Sequence, residues 1–156
     1  MDRTLIEKYA AGAEVPREAI EGLSTAELNG FPVPGTWSIQ QIVLHLMDSD
    51  LIASDRMKRI IAEDSPTITA YDESAFSRRL HYDKLDVHLA CETFRLNRLL
   101  TAQLLRTLPN ADFERTGNHT ERGRISLVDL VRSYTDHLTH HLKFIHQKRG
   151  LLGKPS

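Results

Sequence analysis

Apolar residues recur with the 3.6-residue period of a helix along most of the chain, and nowhere do they alternate in the two-residue period of a strand for more than a few positions. In the segment SLVDLVRSYTDHLTHHLKFIHQKRG, Leu127, Leu130, Val131, Tyr134, Leu138, Leu142 and Ile145 gather into one stripe, which predicts a helix over 127–148. Ser126 supplies its N-cap, Asp129 a carboxylate in the first turn, and Gly150 a left-handed stop. A second stripe, through Ile39, Ile42, Val43, Leu46, Ala53, Met57, Ile60 and Ile61, predicts a helix over 39–62. Its start combines a capping box, Ser38 with Gln41, and a hydrophobic staple, Trp37 with Ile42. A third helix, over 84–108, is apolar on two faces, with Leu85, Leu89, Leu96, Leu99 and Leu100 on one and Val87, Phe94 and Leu105 on the other. Such a helix packs on both sides, and a second subunit is one way to cover the outer one.

The N-terminal stretch 4–23 is helical in pattern but interrupted by Gly12 and Pro16, which predicts either a kinked helix or two short ones meeting at Val15 and Pro16. A short capped turn follows from Ser24 to near Gly30, then an extended run, Phe31-Pro32-Val33-Pro34-Gly35. Two long connections remain. Residues 64–83 show no sustained period beyond a helical turn near 74–79, and 109–124 read as a polar loop carrying His119. Four long helical segments without strands predict an all-α four-helix bundle, a single domain over 1–156.

The charge pattern removes several classes of function. Twenty Lys and Arg against 21 Asp and Glu, interspersed, leave a net charge of −1, so there is no footprint for nucleic acid or an anionic membrane. No apolar run is long enough to span a bilayer and the first residues lack a signal-peptide core, so a cytoplasmic location is expected. Cys91 is the one cysteine, which excludes an internal disulfide and a zinc finger and reads as a small buried hydrophobe.

Four of the eight histidines lie on the last helix. His137, on the margin of its apolar stripe, and His141, inside it, are spaced i, i+4, the geometry with which one helix offers two imidazoles to one metal ion, whereas His140 and His146 point away. The catalytic Glu of a zinc protease would fall at Leu138, so that reading fails. His45 borders the core face of the second long helix, and in a bundle it can complete a three-histidine set with His137 and His141. Three nitrogen donors with open positions form the catalytic rather than the structural pattern. The set fits Zn²⁺ or Ni²⁺, allows Fe²⁺ or Mn²⁺, and disfavours Ca²⁺ or Mg²⁺.

The runs PGTWSIQQIVLHLMDSD, AEDSPTITAYDE, RTGNHTERGRIS and YTDHLTHHLKFI together resemble the DinB-like superfamily, and within it the YfiT-like metal-dependent hydrolases. The resemblance covers nearly the whole chain. It implies a divalent transition metal held by His45, His137 and His141, in a bundle that often forms homodimers. It also implies a small-molecule substrate, because some members resemble transferases of low-molecular-weight thiols and others are described as hydrolases. Thiol activation and water activation need the same open metal, so both branches stand, beside the alternative of a non-catalytic metal-binding stress-response bundle. His119 is the candidate catalytic residue, a proton shuttle hanging over the open positions, with an exposed loop histidine as the rival reading. Ile52, Tyr134 and the loop around Tyr71 would shape the pocket, Asp48 or Asp136 could orient a ligand imidazole, and Arg98 would meet either a substrate anion or an ordinary ion-pair partner.

Overall fold

The computed structural model describes residues 2–155 as seven α-helices and three short strands: α1 (Thr4–Ala11), α2 (Val15–Ala19), α3 (Thr25–Asn29), α4 (Ile39–Ala62), β1 (Thr67–Ile68), α5 (Glu73–Arg79), α6 (Val87–Thr107), β2 (Thr116–His119), β3 (Gly123–Ser126) and α7 (Leu127–Leu151). Side-chain caps decide where the long helices begin. Gln41 N–H donates to Ser38 Oγ at 3.2 Å while Ser38 N–H donates back to Gln41 Oε1 at 2.9 Å, closing the box at the head of α4. Ser126 and Asp129 repeat the device on α7, and Asp86 accepts from the amides of His88 and Leu89 to open α6. That cap places the start of α6 at Val87 rather than at 84, and a single 3₁₀ turn, Tyr82–Lys84, precedes it.

The four-helix bundle forms from α1 with α2, α4, α6 and α7, with α4 packed on both α6 and α7. The N-terminal segment resolves into two short helices, broken at 12–14. Pro16 sits in the first turn of α2, where its missing N–H costs nothing. At Gly12 a β-carbon would lie 2.6 Å from both an Arg98 guanidinium nitrogen and a Leu138 methyl, so the close approach of this turn to α6 and α7 requires glycine. At the other end, α7 runs through Gly150. The left-handed stop is Gly153, at φ 70°, with Lys154 N–H donating to the Arg149 carbonyl.

The expectation that no three-stranded sheet would form does not hold. β1 pairs in parallel with β2, and β2 antiparallel with β3, stitching the two long connections together beside α4. Strands of two and four residues are too short to show an alternating pattern.

The core consists of two apolar clusters along the bundle. One gathers Ile39, Ile42, Leu46, Phe94, Leu138 and Ile145, the other Tyr9, Ala53, Met57, Ala102, Leu130 and Val131. Between them in sequence on α4 and α6 stand Asp50 and Arg98, each 1% exposed. Arg98 Nη2 lies 3.0 Å from Asp50 Oδ1 and donates to the Tyr134 carbonyl of α7 at 2.9 Å, and the guanidinium lies over the Tyr9 ring of α1 at 4.3 Å. Asn97 and the Tyr9 hydroxyl donate to the same carboxylate. Of the two roles open to Arg98, the structure therefore shows the ion pair, a buried one with Asp50, rather than a substrate contact. Arg98→Ala should lower unfolding stability in urea by about 3–5 kcal/mol, because it strands the Asp50 carboxylate in the core. A loss below 1 kcal/mol would show that the pair is dispensable.

Candidate metal centre

The face of α4 that carries His45, Ser49 and Arg56 meets the face of α7 that carries Tyr134, His137 and His141. His45, His137 and His141 come together there: one ring nitrogen from each lies within 4.8 Å of the others, a set that could hold a metal ion. His45 Nε2 and His137 Nε2 are 3.1 Å apart, and the three ring centroids are separated by 4.5–5.0 Å. Burial makes all three imidazoles hard to protonate. His45 is pushed down to about 3 by desolvation and then by its histidine neighbours, His137 to about 3 by desolvation and His141, and His141 to about 4 by desolvation and His140. All three are neutral at pH 7, with lone pairs available to a cation.

Several residues around this cluster lie in the runs that carry the family resemblance without being candidate site residues themselves. Trp37 does more than staple α4, since its ring lies 4.9 Å from His45 and stacks at 6.4 Å on His141. With Val33, Ile42 and Phe144 it lines an apolar cavity of about 260 Å³ against His141. Glu73, in the first turn of α5, brings a half-exposed carboxylate to 3.2 Å from His45 Nε2. Only tertiary packing delivers α5 to this spot.

The expected orienting carboxylates do not act as such. Asp48 accepts the Tyr82 hydroxyl instead, Asp136 is exposed, and the buried Nδ1 atoms of His45 and His141 have no hydrogen-bond partner. His140 is exposed yet lies on the rim, its ring 5.3 Å from His141, and His146 is exposed on α7. Burial pushes the Cys91 thiol up to about 12, in keeping with a packed, unreactive side chain.

His119 is not an exposed loop residue. It ends β2, is 6% exposed, and lines a polar cavity of about 210 Å³ together with Arg56, Tyr71, Arg122, Tyr134 and His137. Ile52, expected to shape this pocket, is not among its lining residues, and Arg56, one turn further along α4, is. The Nδ1 atom of His119 accepts backbone N–H bonds from Glu121 at 3.2 Å and Arg122 at 3.3 Å, which leaves Nε2–H as the donor of the neutral ring. Desolvation, reinforced by Arg56 and Arg122, holds its pKa below the ordinary histidine value. His119 is thus an oriented Nε2–H donor whose Nδ1 lone pair is already taken by the hairpin amides.

These shifts give a pH signature. A histidine neutral when folded but free to protonate when unfolded leaves stability unchanged above the unfolded pKa of about 6.5, and removes it as pH falls from there toward the folded pKa. The metal-free protein should therefore lose thermal stability between about pH 6.5 and the folded values of about 3 to 4, with replacement of His45 by an uncharged residue flattening the slope. A melting temperature flat across pH 6.5 to 4.5 would contradict the burial of these rings.

Comparison with known proteins agrees with this architecture. Over 129 residues the chain is 31% identical to a "putative metal-dependent hydrolase" of Oceanobacillus iheyensis, covering 83% of this chain and 74% of that one. Over 152 residues it is 31% identical to a protein of the same description from Bacillus mycoides, covering 95% and 87%. The solved structure of YfiT from Bacillus subtilis, described as "a probable metal-dependent hydrolase with an unusual four-helix bundle topology", superposes with a TM-score of 0.90 at 26% identity, over 96% of this chain and 86% of that one. The model of the DinB superfamily matches residues 10–145, and with that match, the shared bundle and the converging histidines, the chain belongs to the DinB superfamily.

Proposed function

We propose that the protein is a metal-dependent enzyme of small molecules, with a divalent transition metal held by His45, His137 and His141. The observation that carries this reading is the convergence of three neutral, desolvated imidazoles at one point, with the half-exposed Glu73 carboxylate beside them. Nitrogen donors of this kind suit Zn²⁺ or Ni²⁺ better than Ca²⁺ or Mg²⁺. Such a cation supplies Lewis acidity, deprotonating a thiol or lowering the pKa of water toward ~7. The names of the relatives support the water branch, hydrolysis. Transfer of a low-molecular-weight thiol to an electrophile uses the same Lewis acidity.

The residues around the centre divide the work. His45, from α4, clamps the pair on α7 and fixes the open direction toward α5 and the β2–β3 hairpin. Trp37 and Phe144 exclude water on the His141 side and offer an apolar surface to the substrate. His119 donates a hydrogen bond from Nε2 toward whatever occupies the polar side, a role in substrate orientation rather than the free proton shuttle that an exposed loop would allow. The rival reading, a closed structural site, would recruit Glu73 as fourth ligand.

Elemental analysis of the purified protein tests the centre. The protein should carry close to one equivalent of transition metal, lost in His45→Ala, His137→Ala and His141→Ala. Glu73→Gln should keep it, since three nitrogen donors remain, and loss there would favour the closed site. Turnover of a thiol plus a model electrophile, compared with an ester panel, separates the two branches. His119→Ala should keep the metal and lower turnover, and turnover at the wild-type rate would remove His119 from the site.

We further propose that a second copy of the chain covers the outer face of α6. Leu89, Leu96 and Leu100 are 66%, 53% and 63% exposed there, and a two-fold contact needs only one such self-complementary surface. Sedimentation at micromolar concentration should give a dimer, and Leu96→Glu a monomer. A wild-type monomer would count against it.

A further inference from the structure

Arg56 is a buried cation without a counter-ion. It is 8% exposed, and no carboxylate of the described residues lies within 4.0 Å of its guanidinium. Its known partners are neutral: Nη1 donates to the Tyr134 hydroxyl at 2.7 Å and Nη2 to the Thr69 carbonyl at 2.5 Å. Nε is buried and has no partner at all. Burying a charge is costly unless a partner compensates it, and a guanidinium keeps all five N–H donors at any working pH. Arg56 is held in place by two bonds and the nearby Tyr71 ring, 5.9 Å away, and these use two of its five N–H donors.

That side chain lines the polar cavity that also contains His119 and Arg122, and His137 forms part of the same wall, so the cavity adjoins the histidine centre. His119 brings an N–H donor to it, because its Nδ1 is already occupied by backbone amides. Arg122 lies at the turn of the β2–β3 hairpin and is exposed. Glu73 and Glu121 line the cavity as well, so the wall as a whole is not strongly positive. A singly charged, planar oxyanion matches this arrangement better than a doubly charged phosphate. One guanidinium edge receives two oxygens in one plane, and the two wall carboxylates would repel additional charge.

We propose that this cavity is a carboxylate subsite, which holds an acidic group of the small molecule handled at the three histidines. The substrate or co-substrate is then a carboxylic acid whose reacting group reaches past His137 while its carboxylate is bound to Arg56 and His119. This deepens the reading of the histidine centre as a site of chemistry and rests on it for the word substrate. Binding of the carboxylate itself does not need the metal. The same α4 helix carries both ends, His45 and Arg56, which sets a fixed distance between the reacting group and the acid.

Calorimetric titration of butyrate, a monocarboxylate, tests this, with inorganic phosphate and uncharged butyramide in parallel, on metal-free and zinc-loaded protein. Butyrate should saturate in both, and butyramide should not. Arg56→Gln should weaken butyrate by roughly tenfold or more, the loss expected for a charge-assisted hydrogen bond, with zinc content unchanged. Arg122→Gln, on the exposed hairpin, provides a second variant if Arg56→Gln does not fold, and should weaken butyrate by about threefold. Absence of saturable butyrate binding by the wild type, wild-type affinity in both variants, or phosphate binding tenfold tighter than butyrate would each overturn the carboxylate subsite. Normal zinc uptake alongside any of these would leave the histidine centre standing. Arg56-dependent butyrate binding in a protein that takes up no metal would instead overturn the centre and leave the subsite.

Discussion

The ion pair between Asp50 and Arg98 is the constraint around which the bundle is arranged. A charged pair sealed between two apolar clusters is tolerated only if every lone pair and N–H finds a partner, so the helices that supply those partners are fixed relative to one another. Arg98 draws on all of them: the Asp50 carboxylate of α4, the Tyr134 carbonyl of α7 and the Tyr9 ring of α1. Burial alone raises the Asp50 pKa, and Arg98, Asn97 and Tyr9 oppose that rise. A sliding or rotated helix would break this set, whereas a purely apolar core would tolerate small slips.

The chemistry inherits its geometry from that lock. His45 precedes Asp50 by little more than one turn on α4, and His137 follows Tyr134 by about one turn on α7. Setting the heights of Asp50 and Tyr134 therefore sets the height at which the imidazoles meet. Glycine at position 12 is part of the same device, since a β-carbon there would intrude on Arg98 and on Leu138, next to His137. Further along the same two faces, Arg56 meets the Tyr134 hydroxyl, so the polar cavity and the histidine centre share one pair of helices. The small sheet completes the site from outside. It anchors His119 at the end of β2, and the hairpin amides hold that ring in one tautomer.

Much of the helical framework was legible because it depends on neighbours in sequence. Capping at Ser38 and Ser126 and the apolar stripes of α4 and α7 act over three to eight residues, so their boundaries could be read locally. The stop of α7 lies beyond the position that local signals predict, for the same kind of reason. Gly150 can stay helical as readily as it can end a helix, and it was Gly153 that adopted the left-handed turn. The sheet is not legible in the sequence because parallel pairing of β1 with β2 joins residues about fifty positions apart, through strands too short to leave a pattern.

At the site the division is equally physical. The spacing of His137 and His141 on one helix, with His45 on the core edge of another, is a matter of helical period, and the sequence alone determined that these three could converge. It could not determine what surrounds them. Whether Arg98 faces a substrate or a buried Asp50, whether Asp48 serves an imidazole or a tyrosine, whether Glu73 reaches His45, and whether Arg56 has a counter-ion all depend on which side chains from distant segments arrive within hydrogen-bond range. Helical period repeats within a few residues and is written locally. Electrostatic partnership falls off over a few ångströms in space without regard to separation along the chain, so only the tertiary structure decided it.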